Sequence, residues 1–120
     1  MLETSGPRCL LIDLFIASTP QQRSQGLMFV ESLGEFEGMY FGYGSPVELA
    51  MWMKNTILSL DMLFIGPDGA VIGIARDTPP FSTTRIGSGG PAIGVLELNA
   101  GFASRWRVSP GTRLLLLILL

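Results

Sequence analysis

Apolar residues along this chain fall in short runs, each closed by Gly, Pro or a polar pair, and that spacing predicts strands rather than long helices. Residues 9–17 form one run, rich in Leu, Ile and Phe around a single acid, Asp13, and read as one buried strand. Residues 60–65 and 70–75 flank Gly66-Pro67-Asp68-Gly69, a turn chemistry that joins antiparallel strands, and predict a hairpin. Met39-Tyr40-Phe41 predicts a brief strand closed by Gly42, Gly44 and Pro46. Residues 49–55 alternate, which in extended form sets Met51, Met53 and Asn55 on one face and Trp52 with Lys54 on the other. Residues 92–98 read as a further strand, and Ser109-Pro110-Gly111 turns the chain into a last one from Arg113.

Helical signals are confined to two places. Thr19-Pro20-Gln21-Gln22 offers a hydroxyl N-cap, a Pro at the first helical position and a Gln where a capping box needs it, and Gly26 closes this helix. Residues 100–106 suit one or two helical turns. Between these elements, residues 31–38 read as loop. Residues 77–91, crowded with Pro79, Pro80, Gly87, Gly89, Gly90 and Pro91, predict a long loop of the kind that often carries function. Roughly seven strands with one or two short helices indicate a mainly β fold, a single small β-sandwich or a partly open barrel. The 120 residues suffice for one core, with residues 1–8 expected as a flexible N-terminus and residues 9–120 as the domain.

Charge and composition narrow the function classes. With a formal charge of −2 and a pI near 4.9, the chain lacks the basic footprint that a phosphate backbone requires, so no nucleic-acid partner is expected. It has no histidine, the commonest metal ligand and acid/base group at neutral pH, and neither a metal nor a cofactor is expected. Its one cysteine, Cys9, reads as a small buried hydrophobe and forms no internal disulfide. No apolar run reaches the length of about 20 residues that a spanning helix needs. No signal peptide is expected in this chain, and both a cytoplasmic site and export after leader removal stay open.

The densest unusual stretch is Trp52-Met53-Lys54-Asn55-Thr56, followed by Asp61 inside an apolar strand. A buried carboxylate needs a partner, and Lys54, Asn55, Thr56 and Arg23 are the candidates. Lys54 with Asp61 reads either as an acid/base pair or, the preferred reading, as a structural polar tie. Met51 and Met53 beside Trp52 suit Cu(I) chemically, but thioethers fill irregular cores far more often. Gly87-Ser88-Gly89-Gly90 lacks the Lys-Ser/Thr ending of a phosphate loop and reads as a flexible loop.

Several segments together resemble a known family. Arg23 with Gly26-Leu27-Met28-Phe29, Glu37-Gly38-Met39, the Trp52 to Thr56 block, Leu60-Asp61-Met62-Leu63-Phe64, Ser88-Gly89-Gly90-Pro91-Ala92 and Leu96-Glu97-Leu98 run in the order of domain of unknown function 192, an uncharacterised bacterial and archaeal family. The resemblance implies a compact, mainly β, jelly-roll-like or barrel-like fold and carries over no activity. The chain departs from the family pattern at Gln25, where Arg is common, at Ser59 and Asn99, where Pro is common, and at Gly42-Tyr43-Gly44.

The preferred function is a non-enzymatic binding or accessory domain. Its cleft, drawn from Arg23, Trp52, Lys54, Asn55, Thr56, Asp61 and Ser88, receives a small molecule or peptide. The alternatives are a metal-independent hydrolase or lyase using Lys54 and Asp61, and a structural subunit that pairs into a homo-oligomer through the apolar C-terminal strand, residues 114–120.

Overall fold

The computed structural model describes residues 1–3 and 9–116. Eight strands among them make two sheets. The smaller is antiparallel and joins β1 (Leu2–Glu3) to β2 (Cys9–Leu10) on one side and β8 (Arg113–Leu114) on the other. The larger has five strands, β3 (Asp13–Ala17), β4 (Glu37–Met51), β5 (Leu60–Ile65), β6 (Val71–Ala75) and β7 (Ile86–Asn99), in the order β3-β4-β7-β5-β6. Only β3 and β4 run parallel. Two short helices, α1 (Pro20–Gln25) and α2 (Phe102–Arg105), complete a mainly β fold.

The large sheet is covered on both faces, which explains why all six residues of β5 are buried and all but Asp61 are apolar. On one face Leu63, Ile65, Leu96 and Leu98 pack against Leu2, Leu10 and Leu114 of the small sheet and against Phe102. On the other, Phe41, Met62, Phe64 and Val95 pack under Leu27, Leu49 and Met53, which come from the segments after α1 and at the end of β4. The second face carries the candidate site.

Local chemistry shapes the elements as expected in two places. The α1 capping box is closed in both directions: the Gln22 N–H donates to the Thr19 hydroxyl and the Thr19 N–H to the Gln22 side chain, each at 3.1 Å. At the β5–β6 turn the Asp68 carboxylate accepts the Ala70 N–H at 3.1 Å, and Gly69 takes a φ of +85° that a side chain disfavours.

Elsewhere the chain departs from its sequence pattern. The run expected as one strand over residues 9–17 is broken into β2 and β3, which belong to different sheets. The brief strand at Met39-Tyr40-Phe41 is part of the 15-residue β4, which passes through Gly42, Gly44 and Pro46 with register shifts against β7. The alternation expected over residues 49–55 stops at Met51, and Asn55 sits in a turn at φ +55°. The long loop expected over residues 77–91 ends at Arg85, because β7 begins at Ile86 and holds Gly89, Gly90 and Pro91 within the strand. Leu2 lies in the segment expected to be a flexible tail, yet it is fully buried and paired on both sides. Cys9 is exposed rather than buried. Of the apolar C-terminal run, Leu114 is buried, Leu115 and Leu116 are exposed, and residues 117–120 lie outside the described residues.

Candidate functional site

Residues 52–56 form the wall of the site because they make a tight turn. The Thr56 N–H donates to the Met53 carbonyl at 3.1 Å, with Asn55 third in the turn at a positive φ that Asn and Gly accommodate. The first and last residues of the turn point inward: Met53 and Thr56 are buried, and the Thr56 hydroxyl donates to the Lys54 carbonyl at 3.1 Å. Trp52 and Lys54 are thereby turned outward. The Lys54 ammonium lies over the indole, 5.2 Å from the ring centroid, and among the described residues it has no hydrogen-bond or ion-pair partner.

Arg23 stands across from them in the last turn of α1. Its Nη1 donates to the carbonyls of Ser18 at 2.5 Å and Gly42 at 3.1 Å, and its guanidinium stacks 4.7 Å from the centroid of Tyr43. These bonds fix the guanidinium beside β4 while leaving its Nε and Nη2 unbonded among the described residues.

Glu97, which the sequence reading did not single out, lines one hollow together with both cations. It stands on β7, the central strand of the large sheet, opposite Met39 on one side and Met62 on the other. It is 4 % exposed, and that opening leads into a hollow of about 40 Å³ whose walls include Arg23, Gln25, Met51, Trp52, Lys54 and Thr56. Among the described residues no hydrogen bond or ion pair reaches its carboxyl. Burial pushes that carboxyl up to about 8, so at neutral pH it is mainly protonated. Burial also raises the nearby Tyr43 phenol, with the Arg23 guanidinium pulling it back and Glu97 adding to the rise. The signal was present in the sequence, since an acid between Leu96 and Leu98 poses the same question as Asp61 between Leu60 and Met62.

Above the hollow the surface opens into a broad depression of about 830 Å³ beside Trp52, Lys54, Asn55, Met28 and Phe29. A second depression of about 350 Å³ also borders the indole and is lined by Tyr43, Arg23 and Met51. Trp52 is 44 % exposed and borders both.

Of the residues proposed from sequence, Arg23, Trp52, Lys54, Asn55 and Thr56 are brought together here. Asp61 is not. Its two oxygens accept the backbone N–H groups of Asp77 at 3.0 Å and Ala103 at 2.9 Å, so it ties β5 to the start of α2 on the small-sheet face. The side-chain partner expected for Asp61 is replaced by backbone, and the proposed Lys54–Asp61 acid/base pair does not form. Ser88 also lies apart from the cleft: its hydroxyl accepts the Leu49 N–H at 2.9 Å and donates to the Gly90 carbonyl at 2.6 Å, pinning the irregular β4–β7 pairing.

These features define a small, mainly β domain with a two-sided sheet and a cationic cleft over a buried carboxyl. The chain belongs to the uncharacterised family DUF192, described as "Uncharacterized ACR", whose sequence model matches residues 1–116. Two solved structures are similar. One, from Sinorhizobium meliloti 1021 and called a "putative transcription regulator", is 44 % identical, with a TM-score of 0.91 over 93 % of this chain and 87 % of its own. The other, a protein of unknown function from Novosphingobium aromaticivorans DSM 12444, is 37 % identical, with a TM-score of 0.83 over 85 % of this chain and 73 % of its own. Comparison with curated proteins returns no match.

Proposed function

We propose that the chain is a ligand-binding domain that receives a small molecule or peptide in the cleft beside Trp52. The observation that carries this reading is the Trp52–Lys54 pair: a half-exposed indole bordering two depressions, holding on its face an ammonium that has no hydrogen-bond or ion-pair partner among the described residues. An exposed indole offers a flat apolar surface for stacking, and an ammonium over its face supplies direction. The acid/base reading built on Lys54 and Asp61 loses its support, because both Asp61 oxygens are engaged by backbone N–H groups away from the cleft.

The test is intrinsic fluorescence of a Trp106→Phe chain, which isolates Trp52, titrated with metabolites, oligosaccharides and short peptides. A saturable shift that weakens in Lys54→Met supports the reading. An emission that no compound moves, or one that moves equally in Lys54→Met, overturns it.

A further inference from the structure

Glu97 gives this cleft a chemical preference. An acid on the central strand, flanked by Met39 and Met62, has no hydrogen-bond or ion-pair partner among the described residues, and it lines the hollow below Trp52. The groups facing it are Arg23 from α1, Tyr43 from β4 and Lys54 from the turn at residues 52–56, while β5 presents Met62. An amine entering the hollow would meet two cations and a carboxyl that burial keeps neutral. An anion would meet two cations with donors unused among the described residues and an acid whose O–H can donate.

Resting on the binding reading above, we infer that the hollow is a carboxylate-recognition subsite: the Glu97 carboxyl donates to one oxygen of a ligand carboxylate, and Lys54 and Arg23 hold the other. The hollow, at about 40 Å³, admits little more than one water-sized group, so a ligand can insert a single oxygen, and a flat carboxylate brings less bulk to the mouth than a tetrahedral oxyanion. An O–H donating to a charged oxygen is among the stronger neutral-to-ion hydrogen bonds. The arrangement works only while Glu97 keeps its proton. Once ionised, it would repel the ligand instead of donating to it.

The probes are acetate, standing for a free organic acid, and N-acetylglycine, standing for a peptide C-terminus, with inorganic phosphate as the competing oxyanion. The readout is the Trp52 indole N–H resonance in a nitrogen-15 spectrum at pH 7 and pH 9. Acetate or N-acetylglycine should shift that resonance saturably, and binding should be about tenfold weaker at pH 9 than at pH 7, following the loss of one proton from Glu97. Whichever of the two binds more tightly identifies the source of the carboxylate. Glu97→Gln keeps a donor but cannot ionise, so it should bind equally at both pH values. Glu97→Leu should lose about tenfold or more at pH 7.

Equal affinity at both pH values in the wild-type chain, or equal affinity in wild type and Glu97→Leu, overturns the inference and leaves the binding reading standing. Preference for phosphate over both carboxylates also overturns it, as does failure of both carboxylates to move the indole. The binding reading is judged separately by the fluorescence titration. Should Glu97→Leu fail to fold, the carboxyl carbon-13 resonance of Glu97 in the wild-type chain decides, because bound acetate must shift it.

Discussion

The most exposed consequence of the Glu97 environment is a stability that falls as pH rises through the neutral range. In the unfolded chain this carboxyl has its ordinary value of 4.5, and in the folded chain burial lifts it to about 8. Between those values the folded state holds one proton more than the unfolded state, so raising the pH favours unfolding. The contribution is fully favourable below the ordinary value and declines by about 1.4 kcal/mol per pH unit through the window. By pH 7 the loss from this one group reaches about 3 kcal/mol, a large part of a small domain's stability. Glu97→Gln has nearly the same shape and no proton to lose, so its stability should lack this slope. Urea denaturation of both chains at intervals from pH 4.5 to 9, read as the difference between them, cancels every other titrating group. The variant should match the wild type near pH 4.5 and exceed it by about 3 kcal/mol at pH 7, levelling off above pH 8. A difference that stays constant over that range would refute the reasoning. It would mean that Arg23 or Lys54 leaves its aromatic partner and neutralises Glu97 directly, holding the carboxyl ionised in the folded chain.

Two further substitutions test the frame around the site. Asp61→Ala removes the acceptor of a part-buried N–H from Asp77 and a buried one from Ala103, and should cost about 3 kcal/mol of stability in urea denaturation while leaving the Trp52 response intact in the surviving folded protein. Loss of that response with little loss of stability would instead return Asp61 to the cleft. Gly38→Ala would place a methyl carbon 2.6 Å from the backbone oxygen of Glu97, where neither strand can yield without breaking the β4–β7 pairing. Thermal unfolding should show a loss of about 1 to 3 kcal/mol, and an unchanged midpoint would contradict the close packing of those strands.

What could be read in the sequence was local. The α1 capping box and the Gly66-Pro67-Asp68-Gly69 turn were legible because their bonds join residues a few positions apart. The long strands β4 and β7 were not, because Gly42, Gly44 and Pro46 on one, and Gly89, Gly90 and Pro91 on the other, look like chain breakers. In the fold they occupy a strand pair whose register shifts between Gly42 and Val47 and again between Glu48 and Ala50. Gly94 shows the reason for one such residue: a side chain there would collide with the Tyr40 ring. In the site, Trp52, Lys54, Asn55 and Thr56 were legible as one block because a single turn presents them. Arg23 joined them as a candidate partner for an acid, although the acid it actually overlooks is Glu97. Asp61 was assigned a side-chain partner because backbone donors such as the Ala103 N–H carry no signature in the sequence.

The two buried acids of the large sheet make opposite cases about function. Asp61 and Glu97 stand on adjacent strands, Asp61 opposite Leu98 and Glu97 opposite Met62, so neighbouring register positions send them to opposite faces. Asp61 receives two backbone N–H groups, and its removal would leave those donors stranded, which is sufficient reason for a carboxylate at that position. No such debt attaches to Glu97. Its cross-strand neighbours Met39 and Met62 are apolar, no donor among the described residues reaches it, and a Leu or Met in its place would strip away the stability cost that it imposes at neutral pH. Folding alone therefore favours its replacement. A group held against that preference, at the floor of a hollow walled by Arg23 and Lys54, is where a site rather than a scaffold would put a titratable residue. The same logic separates Lys54 from ordinary surface lysines. Its ammonium is held on Trp52 beside that hollow with no hydrogen-bond or ion-pair partner among the described residues, so the charge is held in place without being used in the fold they form.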